Sequence, residues 1–174
     1  LKDICETHNI FLLEDNCESL GAEIISDGSV VKAGNFGVMS THSFFFSHHI
    51  NTMEGGSVST SNQDFSLLLK IIRNHGWIRE VSEKDFAGEP SLVKTHIRSC
   101  INQLSKSHNH SFMKSFYFIL PGFNLRPTEI QGALGILQLT KLLDFLATRR
   151  KNAPATTDWR ATVPRHAGAV ALIA

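Results

Sequence analysis

Ile10-Phe11-Leu12-Leu13-Glu14-Asp15 is a short, continuous apolar run that ends on two acids. Its length suits a strand, and its unbroken apolar character suits one covered on both faces, as in a parallel sheet. The two acids then stand at the strand's carboxyl end, where open α/β sheets take their ligands. Upstream, Leu1 to His8 carries apolar residues at 1, 4 and 5, compatible with the closing turns of an amphipathic helix. Downstream come a small-residue stretch, a turn at Asp27-Gly28, and Gly34-Asn35-Phe36-Gly37. Val38 to Phe46 reads as a second strand and Gly55 to Thr60 as a third, behind a Gly55-Gly56 turn. Phe65 to Asn74 has helical spacing, with Phe65, Leu68, Leu69 and Ile72 on one face. Residues 80 to 112 are polar and rich in His, Ser and Lys, and read as a surface insertion or mobile loop. After the break at Pro121-Gly122, a helix lined by Ile130, Leu134, Leu137 and Leu142 starts near Pro127-Thr128-Glu129 and runs to about Lys151. Strands alternating with helices indicate an α/β protein with a mostly parallel sheet and flanking helices.

Composition narrows the function mainly by exclusion. A chain of 174 residues is enough for about one domain with a core of its own. A formal net charge of +1 gives no reason to expect nucleic acid or an anionic membrane as partner. The one basic cluster, Arg149-Arg150-Lys151, closes a helical pattern and reads as a solvated last turn. Cys5, Cys17 and Cys100 are widely spaced and form no CxxC pair. That argues against a disulfide framework, an iron–sulfur cluster or structural zinc, and fits a reducing, cytoplasmic setting. No stretch reads as the ~18–20 consecutive apolar residues of a membrane span. The start at Leu1-Lys2-Asp3 lacks Met and reads as mid-helix, so the natural N-terminus is expected upstream.

Three segments would converge on one edge of such a sheet. The first is Glu14-Asp15-Asn16-Cys17-Glu18, whose carboxylate at a strand end could hold a protonated ring nitrogen or could cap the following turn. The second runs from Thr41 to Gly56, where hydroxyls, imidazoles and paired glycines suit a phosphate-bearing ligand. Adjacent His48 and His49 are not at helical zinc-ligand spacing, and taken alone they read better as a satisfied histidine pair. The third, Gly122 to Pro127, leads into a helix N-terminus that favours anions generically. His108-Asn109-His110 could suggest metal, but a solvated loop is the plainer reading, and no metal site is expected.

The order of these segments resembles the DegT/StrS family of nucleotide-sugar aminotransferases and dehydratases. Members carry E-D-x-x-[QE]-x-x-G-A, matched by Glu14, Asp15, Glu18, Gly21 and Ala22. They then carry G-x-x-G-x-[FM]-x-x-x-S-F, a lysine, and E-G-G six residues on; here Gly34, Phe36, Gly37, Ser43, Phe44 and Glu54-Gly55-Gly56 fit. A third motif is matched by Gly122, Phe123, Asn124, Arg126, Ile130, Gln131, Ala133, Gly135, Gln138 and Leu139. The resemblance spans residues 1 to 153, and the tail from 154 to 174 has no recognisable match. It implies part of the large domain of the aspartate aminotransferase fold (fold type I), which uses pyridoxal 5′-phosphate and pyridoxamine 5′-phosphate.

At the lysine position this chain has His48, and no lysine lies between Lys32 and Lys70. An imidazole cannot form the covalent link that a lysine amine forms with this cofactor. Within the family, such a replacement resembles the 3-dehydratases of nucleotide-linked 4-keto-6-deoxy sugars, which serve deoxysugar and O-antigen synthesis with glutamate as amine source. The resemblance then implies His48 as catalytic base, Asp15 on the cofactor's ring nitrogen, Glu18 on its phenolic oxygen and Ser43 on its phosphate. Asn124 would reach the phosphate of a neighbouring subunit's cofactor, implying a homodimer. The alternatives are an ordinary sugar aminotransferase that has lost its lysine, and an inactive remnant of the family. The family's iron–sulfur branch needs clustered cysteines beyond Gly76, where only Cys100 stands.

Overall fold

The computed structural model describes residues 1–26, 28–106 and 116–153, and the backbone of 170–173. Two compact units emerge, Leu1–Ser59 with Pro127–Ala174, and Thr60–Arg126.

The first unit is built on a mixed sheet. Helix α1 (Lys2–Thr7) feeds β1 (Phe11–Asp15), and β4 (Met39–Ser43) lies parallel to it, pairing Leu13 with Met39, Glu14 with Ser40 and Asp15 with Thr41. Outside this parallel pair, β5 (Gly56–Ser59) runs antiparallel to β4, and β6 (Val170–Ile173) antiparallel to β1, giving the order β5-β4-β1-β6. The expected α/β architecture and its parallel heart are present. The pairing of β6 lies within the tail for which the sequence suggested no role.

Between β1 and β4 stands a hairpin that the sequence reading reduced to a turn: β2 (Glu23–Ser26) and β3 (Ser29–Lys32) pair antiparallel around Gly28, whose φ is 74°. Its arms are only four residues long, too short for alternation to stand out.

Helix α4 (Glu129–Asn152), which belongs to this unit, opens on a capping box in which Thr128 and Gln131 satisfy each other's backbone N–H groups. Its half-buried stripe is Gln131, Leu134, Gly135, Gln138, Leu142 and Leu146, whereas Ile130 and Leu137 face outward. Leu134 and Leu142 were therefore placed correctly, and Ile130 and Leu137 were not. By length and composition alone, α4 is also apolar enough to cross a membrane, and none of its apolar window is buried. Lys141 and Asp144 interrupt it, which hid this in a search for an unbroken apolar run.

The second unit has its own core of Leu67, Ile71, Ile78, Val81, Ile97 and Tyr117. Helix α2 (Gln63–Ile72) is capped by Asn62, whose side chain accepts from the backbone N–H groups of Asp64 and Phe65. Its buried positions are Leu67 and Ile71, so the core face is rotated from the predicted Phe65, Leu68, Leu69 and Ile72 stripe.

The predicted surface loop of residues 80–112 is the larger correction. It holds a short 3₁₀ helix (Glu83–Phe86) and a full α-helix, α3 (Leu92–Ser105), capped by Ser91 and anchored through buried Lys94 and Ile97. Polar residues dominate because a single stripe, Lys94, Ile97, Ile101 and Leu104, faces inward. His108-Asn109-His110 and the end of the proposed insertion lie outside the described residues.

Close backbone contact then fixes the Pro121-Gly122 break. Phe123 donates to the Ile72 carbonyl and His75 to the Phe123 carbonyl. A side chain on Gly76 would overlap the Leu120 carbonyl, and one on Gly122 would overlap the Gly76 nitrogen.

Candidate active site

The parallel register of β1 and β4 sets Asp15 beside Thr41 at the carboxyl ends of both strands. Successive strand residues face opposite ways, so Glu14 and Asp15 serve different neighbours. Glu14 turns to the Gly34–Gly37 loop and accepts three backbone N–H groups, from Gly34 at 2.7 Å and from Phe36 and Gly37 at 2.6 Å each. Gly37 lies so close to the Leu12 carbonyl that a side chain there would overlap it. The glycine spacing of this loop thus reflects a tight seat against β1.

Asp15 Oδ1 accepts from the Cys17 backbone N–H at 3.1 Å and from the Thr41 hydroxyl at 3.0 Å. The Cys17 thiol and backbone N–H, together with the Thr41 hydroxyl, hold the carboxyl below its ordinary range, with a smaller electrostatic contribution from His48. Asp15 is therefore ionised at neutral pH. The same hydrogen bonding, helped by burial, raises the Cys17 thiol above its ordinary value, which keeps it a neutral donor at physiological pH.

The segment after β4 folds back on itself. Phe44 donates to the Gly55 carbonyl, Thr52 to the Phe44 carbonyl and His48 to the Phe45 carbonyl, closing residues 44–55 into a compact loop. Met53 and Gly55 take positive φ (72° and 144°), and a side chain at Gly56 would press on the His42 carbonyl. The loop returns His48 to the strand ends, where its Nε2 lies 3.1 Å from Glu18 Oε1. His48 Nδ1 is buried and has no hydrogen-bond partner among the described residues. Ser43 Oγ accepts from the Phe45 backbone N–H at 3.2 Å, leaving its own proton free to donate. Burial pushes His42 and His49 below the ordinary imidazole range, so both are neutral at physiological pH.

Four of the predicted residues thus lie in the first unit: Asp15 at the end of β1, Glu18 shortly after it and beside His48 of the loop that follows β4, and Ser43 at the end of β4. Asn124 lies in the second unit, exposed, with its backbone bridged to Asn74. Sequence reasoning put Thr41 only in a segment suited to phosphate, not on Asp15, and gave Glu14 no task. The hydroxyl became visible only through the strand register, and the carboxylate only through the loop it holds.

Residues 1–166 match the profile of the DegT/DnrJ/EryC1/StrS aminotransferase family. GDP-4-keto-6-deoxy-D-mannose 3-dehydratase of Yersinia pseudotuberculosis is 45% identical over 86% of this chain and 33% of its own length. Its counterpart in Escherichia coli O55:H7 is 44% identical over 83% of this chain and 32% of its own. A crystal structure of GDP-4-keto-6-deoxymannose-3-dehydratase with bound GDP-perosamine superposes with a TM-score of 0.71 at 38% identity, covering 96% of this chain and 39% of that one. The chain spans about a third of the length of the curated relatives it matches. The shared fold is that of the pyridoxal-phosphate-dependent aminotransferases.

Proposed function

The chain belongs to the DegT/DnrJ/EryC1/StrS aminotransferase family, and from that membership we propose that it forms part of a cofactor-dependent sugar 3-dehydratase. The substrate is a nucleotide-linked 4-keto-6-deoxy sugar, the cofactor is pyridoxal/pyridoxamine phosphate, and glutamate is the amine source. One observation carries the choice of dehydration over amino transfer: an imidazole, His48, stands where the family motif has its lysine, and the fold returns it to the strand ends beside Glu18.

The residues present suit the cofactor. Asp15 is ionised, and apart from the weak Cys17 thiol donor its Oδ2 meets no N–H or O–H among the described residues, which leaves a charged acceptor for a protonated ring nitrogen. Glu18 is open enough to turn toward the ring's phenolic oxygen, and the Ser43 hydroxyl has a proton to give a phosphate oxygen. When bound, the cofactor supplies a primary amine for the sugar's 4-keto group and a ring that draws off electrons as the 3-hydroxyl departs.

His48 is the proton carrier. An imidazole can take and give back a proton without bonding covalently to the cofactor, whereas a lysine amine at this position would be tied up as the cofactor's covalent anchor. Proton exchange takes place at Nε2, because Nδ1 is enclosed. Without a lysine, the protein has no amine there to recapture the cofactor covalently, which favours hydrolytic release of a keto product.

Asn124 serves the phosphate of the neighbouring subunit in a cytoplasmic homodimer, and the outward apolar residues of α4 are covered by protein and not by lipid. The test is to supply the full-length protein with cofactor, glutamate and GDP-4-keto-6-deoxymannose. A 3-deoxy sugar with release of ammonia supports the dehydratase. Retention of the amino nitrogen in the sugar overturns it in favour of a transferase, and absence of any product in a cofactor-loaded protein points to a remnant.

A further inference from the structure

Thr41 and Cys17 converge on one atom of Asp15. The Thr41 hydroxyl donates to Oδ1 at 3.0 Å and the Cys17 backbone N–H donates to the same oxygen at 3.1 Å. The Cys17 contact is the ordinary turn that an aspartate makes with the residue two places on. Thr41 has no such local reason, since it is 26 residues away in sequence and arrives on the neighbouring strand. Its backbone is pinned as well: the Asn16 N–H donates to the Thr41 carbonyl at 2.9 Å, extending the parallel ladder past Asp15. A carboxylate oxygen has two lone-pair directions, so two donors fill Oδ1. Rotation of the carboxylate would break one of them.

We propose that Thr41 is a positioning residue, which with the Cys17 amide occupies Oδ1 of Asp15 and so directs Oδ2 toward a protonated nitrogen of a ring-shaped cofactor. The idea rests on the cofactor reading above. If Asp15 only capped its turn, Thr41 would be dispensable and an asparagine would serve as well. If it anchors a charged ring nitrogen, the orientation of the second oxygen matters, and Thr41 sets it; the Cys17 thiol is too weak a donor to fill that oxygen. Threonine suits this place twice, since its branched side chain favours a strand and its hydroxyl reaches the acid across the ladder.

Binding of pyridoxamine phosphate to the full-length protein is compared with binding of the analogue whose ring nitrogen is replaced by carbon. Thr41→Val keeps shape and strand preference but removes the donor. It is expected to weaken pyridoxamine phosphate about tenfold and leave the carbon analogue within about twofold, with Thr41→Ser restoring the difference. Thr41→Ala repeats the measurement should the valine protein fold poorly. A Thr41→Val protein that binds pyridoxamine phosphate as well as the unmodified one overturns the proposal, as does equal loss for both compounds. Failure of the unmodified protein to bind either compound overturns the cofactor reading itself, so the two failures are told apart.

Discussion

His48 Nε2 lies 3.1 Å from Glu18 Oε1, joining a nearly enclosed imidazole to an open carboxylate: the side chains are 15% and 85% exposed. The second ring nitrogen is buried, with no hydrogen-bond partner among the described residues. Any proton that passes between His48 and a bound sugar therefore has one door, and substitutions at this residue test the chemistry directly. His48→Gln is expected to slow dehydration by about 10²–10⁴-fold while the cofactor is retained, the usual worth of a positioned acid–base group. His48→Lys should attach the cofactor covalently, seen as a mass gain after borohydride reduction, and suppress dehydration. Unchanged deoxygenation in the lysine protein would show that His48 is not the proton carrier.

Glu14 anchors the Gly34–Gly37 loop by accepting three backbone N–H groups. Removing a half-buried acceptor leaves each donor to find water or go unpaired, at up to about 1–3 kcal/mol apiece before relaxation. Glu14→Ala is expected to cost about 2–5 kcal/mol in urea unfolding, with Glu14→Gln losing less because one acceptor oxygen remains. Glu6, which only pairs with Lys2 at the surface, is the control. Equal losses at Glu6→Ala and Glu14→Ala would remove the anchoring role.

These two residues illustrate what could be read before the fold was in hand. The run from Ile10 to Asp15 announced a parallel strand because its apolar stretch is unbroken and its acids are terminal. His48 stood out because it replaces a residue whose chemistry it cannot copy. Glu14 and Thr41 stayed silent for a different reason: their partners lie 20 to 26 residues away, and a ladder's register is not encoded in local periodicity. Helix α3 was mistaken for a loop because only one stripe of it is covered, and one of the covered residues is a lysine. The rotated face of α2 arose from a crowded run, Leu67-Leu68-Leu69, in which several stripes fit the spacing equally well.

In the second unit, Asp85 links stability to pH. Burial raises its carboxyl, but hydrogen bonds from the Ser82 backbone N–H, the Lys70 ammonium and the Ser82 hydroxyl outweigh this and leave it below the ordinary value. Lys70 Nζ reaches both carboxylate oxygens at 3.0 Å. A carboxyl whose folded value is depressed adds stability that is complete above its unfolded value, near ~3.9, and is lost as pH falls through the folded one. Stability should therefore decline on acidification through and below that range, with a shallower slope in Asp85→Asn. Superimposable stability–pH curves for the two proteins would dismiss the contribution.

Lys94 is a lysine that the fold keeps inside, 6% exposed and without a carboxylate partner among the described residues. Its ammonium reaches Gln63 Oε1 at 2.9 Å, the Ala87 carbonyl at 2.6 Å and the Glu89 carbonyl at 3.2 Å. Three donors meet three acceptors, which ties the start of α3 to the segment before it and to the cap region of α2. Lys94→Met preserves most of the stem's packing and strips the head group, leaving those oxygens without their donor. The expected cost is about 1–3 kcal/mol in urea unfolding, limited by water that can enter beside the exposed Gly88. Amide exchange over residues 83–91 should quicken, because the two carbonyls that hold this segment down lose their tether. Lys106→Met, at the exposed end of the same helix, supplies the comparison. Should both substitutions cost the same and leave exchange unaltered, Lys94 would be a bystander whose burial is incidental, and the order of this segment would have to come from the Ser91 cap and its hydrogen bond to Asp64.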